Sequence, residues 1–232
     1  MKISIVGLGW FGSSLAERLE GHEVSGTHRT DLNKSNTPSE KIMDADVMVL
    51  NIPPFEGQLE WFKSWKWQNK THVIFISSTS VYGQEEGSLN ESILPEPATE
   101  NGKLLVTEEE WIKSFPHHTI IRFGGLLGKD RHPGKTLSGR KNIAGGNQPV
   151  NLLHLEDAVG FTNEVIAKKL TNKTFNLVNP EHPTREAFYQ DYARQNNLQL
   201  PEFEKSLMEG KTITSLYVSS FYQFTVKIFH ES

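Results

Sequence analysis

An α/β fold built on a doubly wound parallel sheet is what this chain predicts, on three observations. Short Val/Ile-rich strand signals recur along it with helical patterns between them. The first strand, from Lys2 to Val6, runs into a glycine turn, Gly7-Leu8-Gly9-Trp10-Phe11-Gly12, and then into the helix-like Ser-Ser-Leu-Ala-Glu-Arg-Leu. The 232 residues, 36% hydrophobic and 22% charged, suffice for a sizeable core and fall short of two full domains. Residues 1–232 are therefore read as one domain.

The elements follow in order. A second strand, His22 to Thr27, comes after a helix that Gly21 terminates. A third, Asp46 to Asn51, is stopped by Ile52-Pro53-Pro54. The stretch between Arg29 and Asp46 carries Asn33, Asn36 and Pro38 and is too short for a helix plus a strand, so that crossover should be truncated. Leu59 to Trp67 predicts a helix, with Leu59 and Phe62, and with them Trp65 and Trp67, turned to the core. Thr71 to Ser77 is a buried strand ending in the hydroxyl run Ser77-Ser78-Thr79-Ser80. Residues 84–98 are polar and proline-bearing and read as loop. A helix is expected from about Glu100 to Ser114, with Leu104, Leu105, Glu108, Trp111, Ile112 and Phe115 at helical spacing. Thr119 to Phe123 is a strand, and Gly124 to Pro149 an irregular lobe. Then come a helix at Asp157 to Lys169, a strand at Thr174 to Val178, and a helix at Thr184 to Asn196 with Thr184 as N-cap. Thr212 to Val218 has strand character and no assigned place.

The glycine turn carries the first functional expectation. In a dinucleotide site a strand delivers the chain to a tight turn, here at Gly7. Gly9 lacks a Cβ, so a diphosphate can approach the main chain, and Gly12 lets the helix pack closely on the strand. The free N–H groups at the helix start then face the phosphates. A plain strand–turn–helix corner is the alternative.

Composition narrows the rest. A net charge of -4 leaves no electrostatic footprint for nucleic acid. With no cysteine there is neither a disulfide framework, a thiolate metal site nor a cysteine nucleophile. His117 and His118 are adjacent, His154 stands apart and no His-Glu-x-x-His occurs, so no metal site is expected. No segment approaches the roughly 20 apolar residues of a membrane span. The first strand starts at residue 2, which leaves no room for a secretion signal, and a cytoplasmic protein without a membrane partner is expected.

Four pieces coincide in order: the glycine turn, Ser-Ser-Thr-Ser-Val-Tyr-Gly at 77–83, Ile-Arg-Phe-Gly-Gly-Leu-Leu-Gly at 121–128, and Val-Asn-Leu-Leu-His-Leu-Glu-Asp-Ala-Val at 150–159. Together they resemble the extended short-chain dehydrogenase/reductase family of sugar-nucleotide epimerases and dehydratases, in its atypical, reduced branch, over roughly residues 1–190. The resemblance implies a Rossmann-like fold, a nicotinamide cofactor and a small C-terminal substrate lobe, drawn from about 128–150 and 180–232 and interleaved with the sheet. The spacing Gly-x-Gly-x-x-Gly differs from the Gly-x-x-Gly-x-x-Gly of most extended members and is shared with atypical ones.

Carried over by position, Gly7, Gly9 and Gly12, with Trp10 and Phe11 between them, match the cofactor turn. After the second strand relatives often place an aspartate for the ribose. Here stand Thr27-His28-Arg29, a guanidinium that suits a 2′-phosphate, so NADP is favoured and NAD is the alternative cofactor. A solvated surface arginine is the other reading of Arg29.

Ser78 matches the catalytic hydroxyl that bonds the reacting oxygen. Tyr82 matches the tyrosine of the Val-Tyr-Gly corner, a pocket wall and a candidate proton source. The family's Tyr-x-x-x-Lys appears as Thr99-Glu100-Asn101-Gly102-Lys103. An aliphatic hydroxyl is too weak an acid to replace a phenol of pKa near 10. Thr99 also reads as a helix N-cap. Lys103 is the candidate holder of a cofactor ribose. Arg131, His132 and Lys135 in the lobe, and Asn151, His154 and Asp157 before a helix, fall where relatives border substrate, although each also has a structural reading.

Two functions follow. One is an NADP-dependent oxidoreductase or epimerase/dehydratase-type enzyme on a small polar or sugar-like substrate. The other is a dinucleotide-binding sensor or scaffold without turnover.

Overall fold

The computed structural model describes residues 1–28, 31, 38–83, 86–128 and 131–229. Strand β1 (Lys2–Val6) leads to helix α1 (Trp10–Arg18), then β2 (Glu23–Thr27), the single turn α2 (Glu40–Met43), β3 (Val47–Leu50) and α3 (Gln58–Lys63). Next come β4 (His72–Ser78), a 3-10 turn at Thr79–Tyr82, β5 (Gly87–Leu89), α4 (Glu100–Ile112), β6 (His118–Phe123) and β7 (Gly125–Leu127). After a 3-10 turn at Pro133–Leu137 follow β8 (Leu152–His154), α5 (Leu155–Lys168), β9 (Lys173–Leu177), α6 (Arg185–Gln195) and β10 (Lys211–Ile213).

Among the described residues the main sheet has the order β2-β1-β3-β4-β6-β9, and every pairing in it is parallel. The order reverses direction at β1, so the C-terminal ends of β1 and β3 flank the crevice where such sheets take ligands. Successive side chains of a strand point to opposite faces, and both faces are covered. Val47, Val49, Ile74, Ile76 and Ile121 meet Leu15, Phe161 and Val165 on one side. Met48, Leu50, Val73, Phe75 and Ile120 meet Trp61, Phe62, Leu105 and Ile112 on the other. This double burial is why the strands read as unbroken apolar runs.

In the crossover from β2 to β3 the described residues include one short helix, and the expectation of a truncated crossover falls largely on residues outside the described ones. Three expectations change. Helix α3 ends at Lys63, because Ser64 Oγ donates to Trp61 O (2.6 Å) and Trp67 Nε1 to Phe62 O (2.7 Å), which draws the chain out of helical register. Its core positions are Gln58, Trp61 and Phe62, with Leu59 only half-buried. The 84–98 stretch contains β5, which pairs in parallel with β10 from the ambiguous C-terminal segment. Neither three-residue strand is legible alone, since each exists only through a partner more than a hundred residues away. Helix α5 begins at Leu155, earlier than Asp157, with His154 Nδ1 accepting from the Glu156 amide (3.2 Å).

Candidate functional site: a glycine turn at the sheet's C-terminal edge

Two of the three turn glycines are required by contact. Gly7 sits at φ +109°, and a Cβ there would lie 2.1 Å from the Asn51 carbonyl oxygen. A Cβ on Gly12 would lie 2.2 Å from the Gly7 carbonyl oxygen. Gly9 differs: a Cβ there would meet nothing within 4 Å, so its bare backbone faces open space. Asn51, at the end of β3, clamps the turn by donating from Nδ2 to Gly7 O (3.1 Å), and Thr27 O accepts from the amides of Gly7 (3.2 Å) and Leu8 (2.8 Å).

Helix α1 starts directly from this turn. Its N-cap, Gly9, offers no side chain, its first turn holds no carboxylate, and the first intrahelical bond runs from Ser13 N to Gly9 O (2.9 Å). The amides of Trp10, Phe11 and Gly12 are thus left without intrahelical acceptors, at the positive end of the helix dipole. Thr27 Oγ1 is buried and has no hydrogen-bond partner among the described residues. An open main-chain cradle and N–H donors without intrahelical acceptors fit a dinucleotide's phosphates.

The side chains between the glycines do different work from that expected. The Phe11 ring is core, 3% exposed and edge-on to Phe123 at 5.0 Å, so only its amide faces the turn. Trp10 is half-buried against Gly128, with the Arg131 guanidinium 5.4 Å from its ring centroid. Arg29 lies outside the described residues. Asp31 brings a carboxylate to the end of β2, where its Oδ2 accepts from the His28 amide (2.7 Å), so this end is not free of acid, as the tripeptide alone suggests.

Ser78 ends β4 at the same edge of the sheet, half-buried, its Oγ accepting from Ser80 N (3.1 Å) and so capping the 3-10 turn. Thr99 is the N-cap of α4, accepting from Gly102 N (3.1 Å). The helix can start there because Gly102 has no Cβ to strike Pro97 and the Ser80 carbonyl. Lys103 is 59% exposed and pairs with Glu100 at 2.7 Å, and among the described residues no hydrogen bond joins it to Ser78.

Tyr82 needs correcting as a catalytic candidate. It is 0% exposed; its hydroxyl lies 3.0 Å from both Asn90 O and Asn176 Oδ1 and accepts from Arg122 Nη1 (2.7 Å). Burial pushes this phenol above its ordinary pKa of 10. In this structure its hydroxyl ties the 3-10 turn after β4 to β6 and β9. This tie belongs to a network that sequence reasoning missed. Ser77, Arg122 and Asn176 occupy one register position across β4, β6 and β9. Glu109 on α4 accepts from Ser77 Oγ (2.6 Å) and from Arg122 Nε and Nη2 (3.0 and 2.6 Å). Asn176 continues through Nδ2 to Thr214 O (3.0 Å), tying the sheet to the C-terminal segment. The signal was there to read: an arginine within Ile-Ile-Arg-Phe has to be buried with a partner.

The remaining candidates take structural places. His132 stacks on Tyr192 at 3.6 Å, and burial, aided by the Lys135 charge, drives its pKa down to about 4. Asn151 clasps β10 through Lys211 O (2.8 Å) and Ile213 N (2.7 Å). Buried Asp157 accepts from Tyr222 Oη (2.9 Å) and from the Thr225 amide and hydroxyl (both 2.8 Å), which anchors the C-terminal segment. Among the described residues no group of three or more His, Asp or Glu could hold a metal, and no helix is long and apolar enough to cross a membrane.

Fold and turn together define a doubly wound, Rossmann-like α/β protein. UDP-glucuronic acid 4-epimerase from Bacillus cereus, solved with NAD, superposes with a TM-score of 0.78 at 20% identity, covering 98% of this chain and 93% of that one. dTDP-4-dehydrorhamnose reductase from Yersinia enterocolitica superposes with a TM-score of 0.71 at 17% identity, covering 94% and 92%. No protein-family model matches the chain. Protein YeeZ of Escherichia coli K12 is 32% identical over 245 aligned positions, spanning 90% of this chain and 89% of that protein. The chain belongs to the YeeZ family.

Proposed function

We propose that this chain is a nicotinamide-dinucleotide-dependent enzyme of epimerase, dehydratase or reductase type, acting on a small polar, sugar-like molecule. The observation that carries the reading is the Gly9 backbone, open to approach beside the unpaired amides of α1. The resemblance of the motifs and the ligands named for the similar structures support it. When bound, the cofactor would supply hydride transfer.

The chain's own residues would do the rest. Gly9 and the amides of Trp10, Phe11 and Gly12 would hold the diphosphate. Ser78 Oγ accepts the Ser80 amide, which leaves its proton free to donate to a substrate oxygen at the strand end. With Thr99 spent as a cap and Tyr82 bolted inside, the proton exchanged with solvent has to pass through water.

Between cofactors we favour NADP, because Arg29 matches a 2′-phosphate and the Asp31 carboxylate is engaged by the His28 amide. Fluorescence titration with NADPH and NADH, on wild type and Arg29→Ala, tests the reading. Tighter NADPH binding that Arg29→Ala equalises is expected; equal wild-type affinities would overturn the NADP preference, and no binding of either would overturn the function. Turnover of a sugar-nucleotide panel that falls in Ser78→Ala separates enzyme from sensor.

A further inference from the structure

The cofactor turn carries no basic side chain: Leu8, Trp10 and Phe11 are its only non-glycine members. A diphosphate held there by amides alone would keep most of its charge uncompensated. Among the described residues, a guanidinium from a distant segment lies against the first residue of α1. Residues 128 and 131 close on each other through two backbone bonds, Gly128 N to Arg131 O and Arg131 N to Gly128 O, both 3.0 Å. On one side this backbone bridge is seated on the helix start: a Cβ on Gly128 would lie 2.8 Å from the Trp10 ring. On the other it is pinned by His132, whose ring lies parallel to Tyr192 at 3.6 Å. Arg131 therefore has a fixed backbone, and its guanidinium lies 5.4 Å from the ring centroid of the first residue of α1.

Arg122 is paired with Glu109 and Arg18 with Glu156, whereas Arg131 is exposed and has no ion pair among the described residues. A planar cation with five donors, held over the side chain of the residue that opens α1 and without an ion pair among the described residues, is suited to phosphate oxygens. A surface arginine parked on a tryptophan would need neither the Gly128–Arg131 bridge nor the His132 stack. We infer that Arg131 is the diphosphate-binding cation of this site, reaching over Trp10 to the phosphates that the glycine turn holds from below. The inference rests on the dinucleotide reading above and assigns the lobe after β7 a role in cofactor capture.

Calorimetric titration with ADP and with adenosine, on wild type, Arg131→Met and Arg131→Lys, decides it. Arg131→Met keeps an apolar arm against Trp10 and removes the charge. ADP should bind this variant about tenfold to a hundredfold more weakly, as for loss of a charge-assisted bond, while adenosine is unchanged and Arg131→Lys recovers part of the loss. The ADP affinity of wild type should also fall more steeply with salt than that of Arg131→Met. Unchanged ADP affinity in Arg131→Met, or an equal loss for ADP and adenosine, would overturn the inference and leave the dinucleotide reading standing. Wild type that binds neither ADP nor a nicotinamide dinucleotide would overturn both.

Discussion

Glu108 offers a test of the packing of α4 through pH alone. It is 1% exposed, and neither carboxylate oxygen has a hydrogen-bond partner. Burial pushes its pKa from an ordinary 4.5 to about 8, because a charge there would have no solvent and no counter-ion. The unfolded chain loses this proton near pH 4.5 and the folded chain holds it to about pH 8, so between those values the folded state binds more protons and stability falls as pH rises. At about 1.4 kcal/mol per pH unit, some 3 kcal/mol is lost by pH 7 relative to pH 4.5. Glu108→Gln keeps the shape and cannot ionise. In urea unfolding at pH 5, 6, 7 and 8 it should match wild type at the acid end. By pH 7 it should be the more stable by about 3 kcal/mol. Parallel curves for the two proteins across that range would show that Glu108 is hydrated or paired, and the argument would fail.

The glycine turn separates binding from folding. A Cβ at position 9 meets no atom within 4 Å, so in Gly9→Ala thermal unfolding should move by no more than about 1 kcal/mol while dinucleotide affinity in the same fluorescence titration drops at least about tenfold. Gly12→Val drives a Cβ into the Gly7 carbonyl oxygen and should destabilise the fold by about 1–3 kcal/mol or more, seen as a lowered urea midpoint. Tyr82→Phe strands Arg122 Nη1 and Asn176 Oδ1 and should cost about 1–3 kcal/mol in urea, with the pH profile of any turnover unmoved; a shifted profile would return Tyr82 to the chemistry. Glu109→Ala leaves the Arg122 guanidinium buried without its partner and should cost about 3–5 kcal/mol, read from the same unfolding curves.

The glycine turn was legible because every constraint on it is local: strand, turn and helix start lie within a dozen residues, and their spacing is the geometry. The same holds for the N-caps at Thr99 and Thr184, where a hydroxyl and the amide three residues on are neighbours in sequence. Tyr82 shows the opposite case. Its position in the motif was readable, but its burial depends on Arg122 and Asn176, 40 and 94 residues away. Asp31 was not considered, although its carboxylate meets the His28 amide only three positions away.

By itself the sequence determined the doubly wound α/β class, the strand runs that bury both faces, and the glycine corner, because hydrophobic period and backbone permissiveness are written residue by residue. Tertiary structure alone decided which candidates meet at that corner. It withdrew Tyr82 and the Phe11 ring into the core, paired β5 with β10, and brought Arg131 to the start of α1. Such meetings depend on how distant segments close against one another, and nothing local in the chain encodes a distance across a hundred residues.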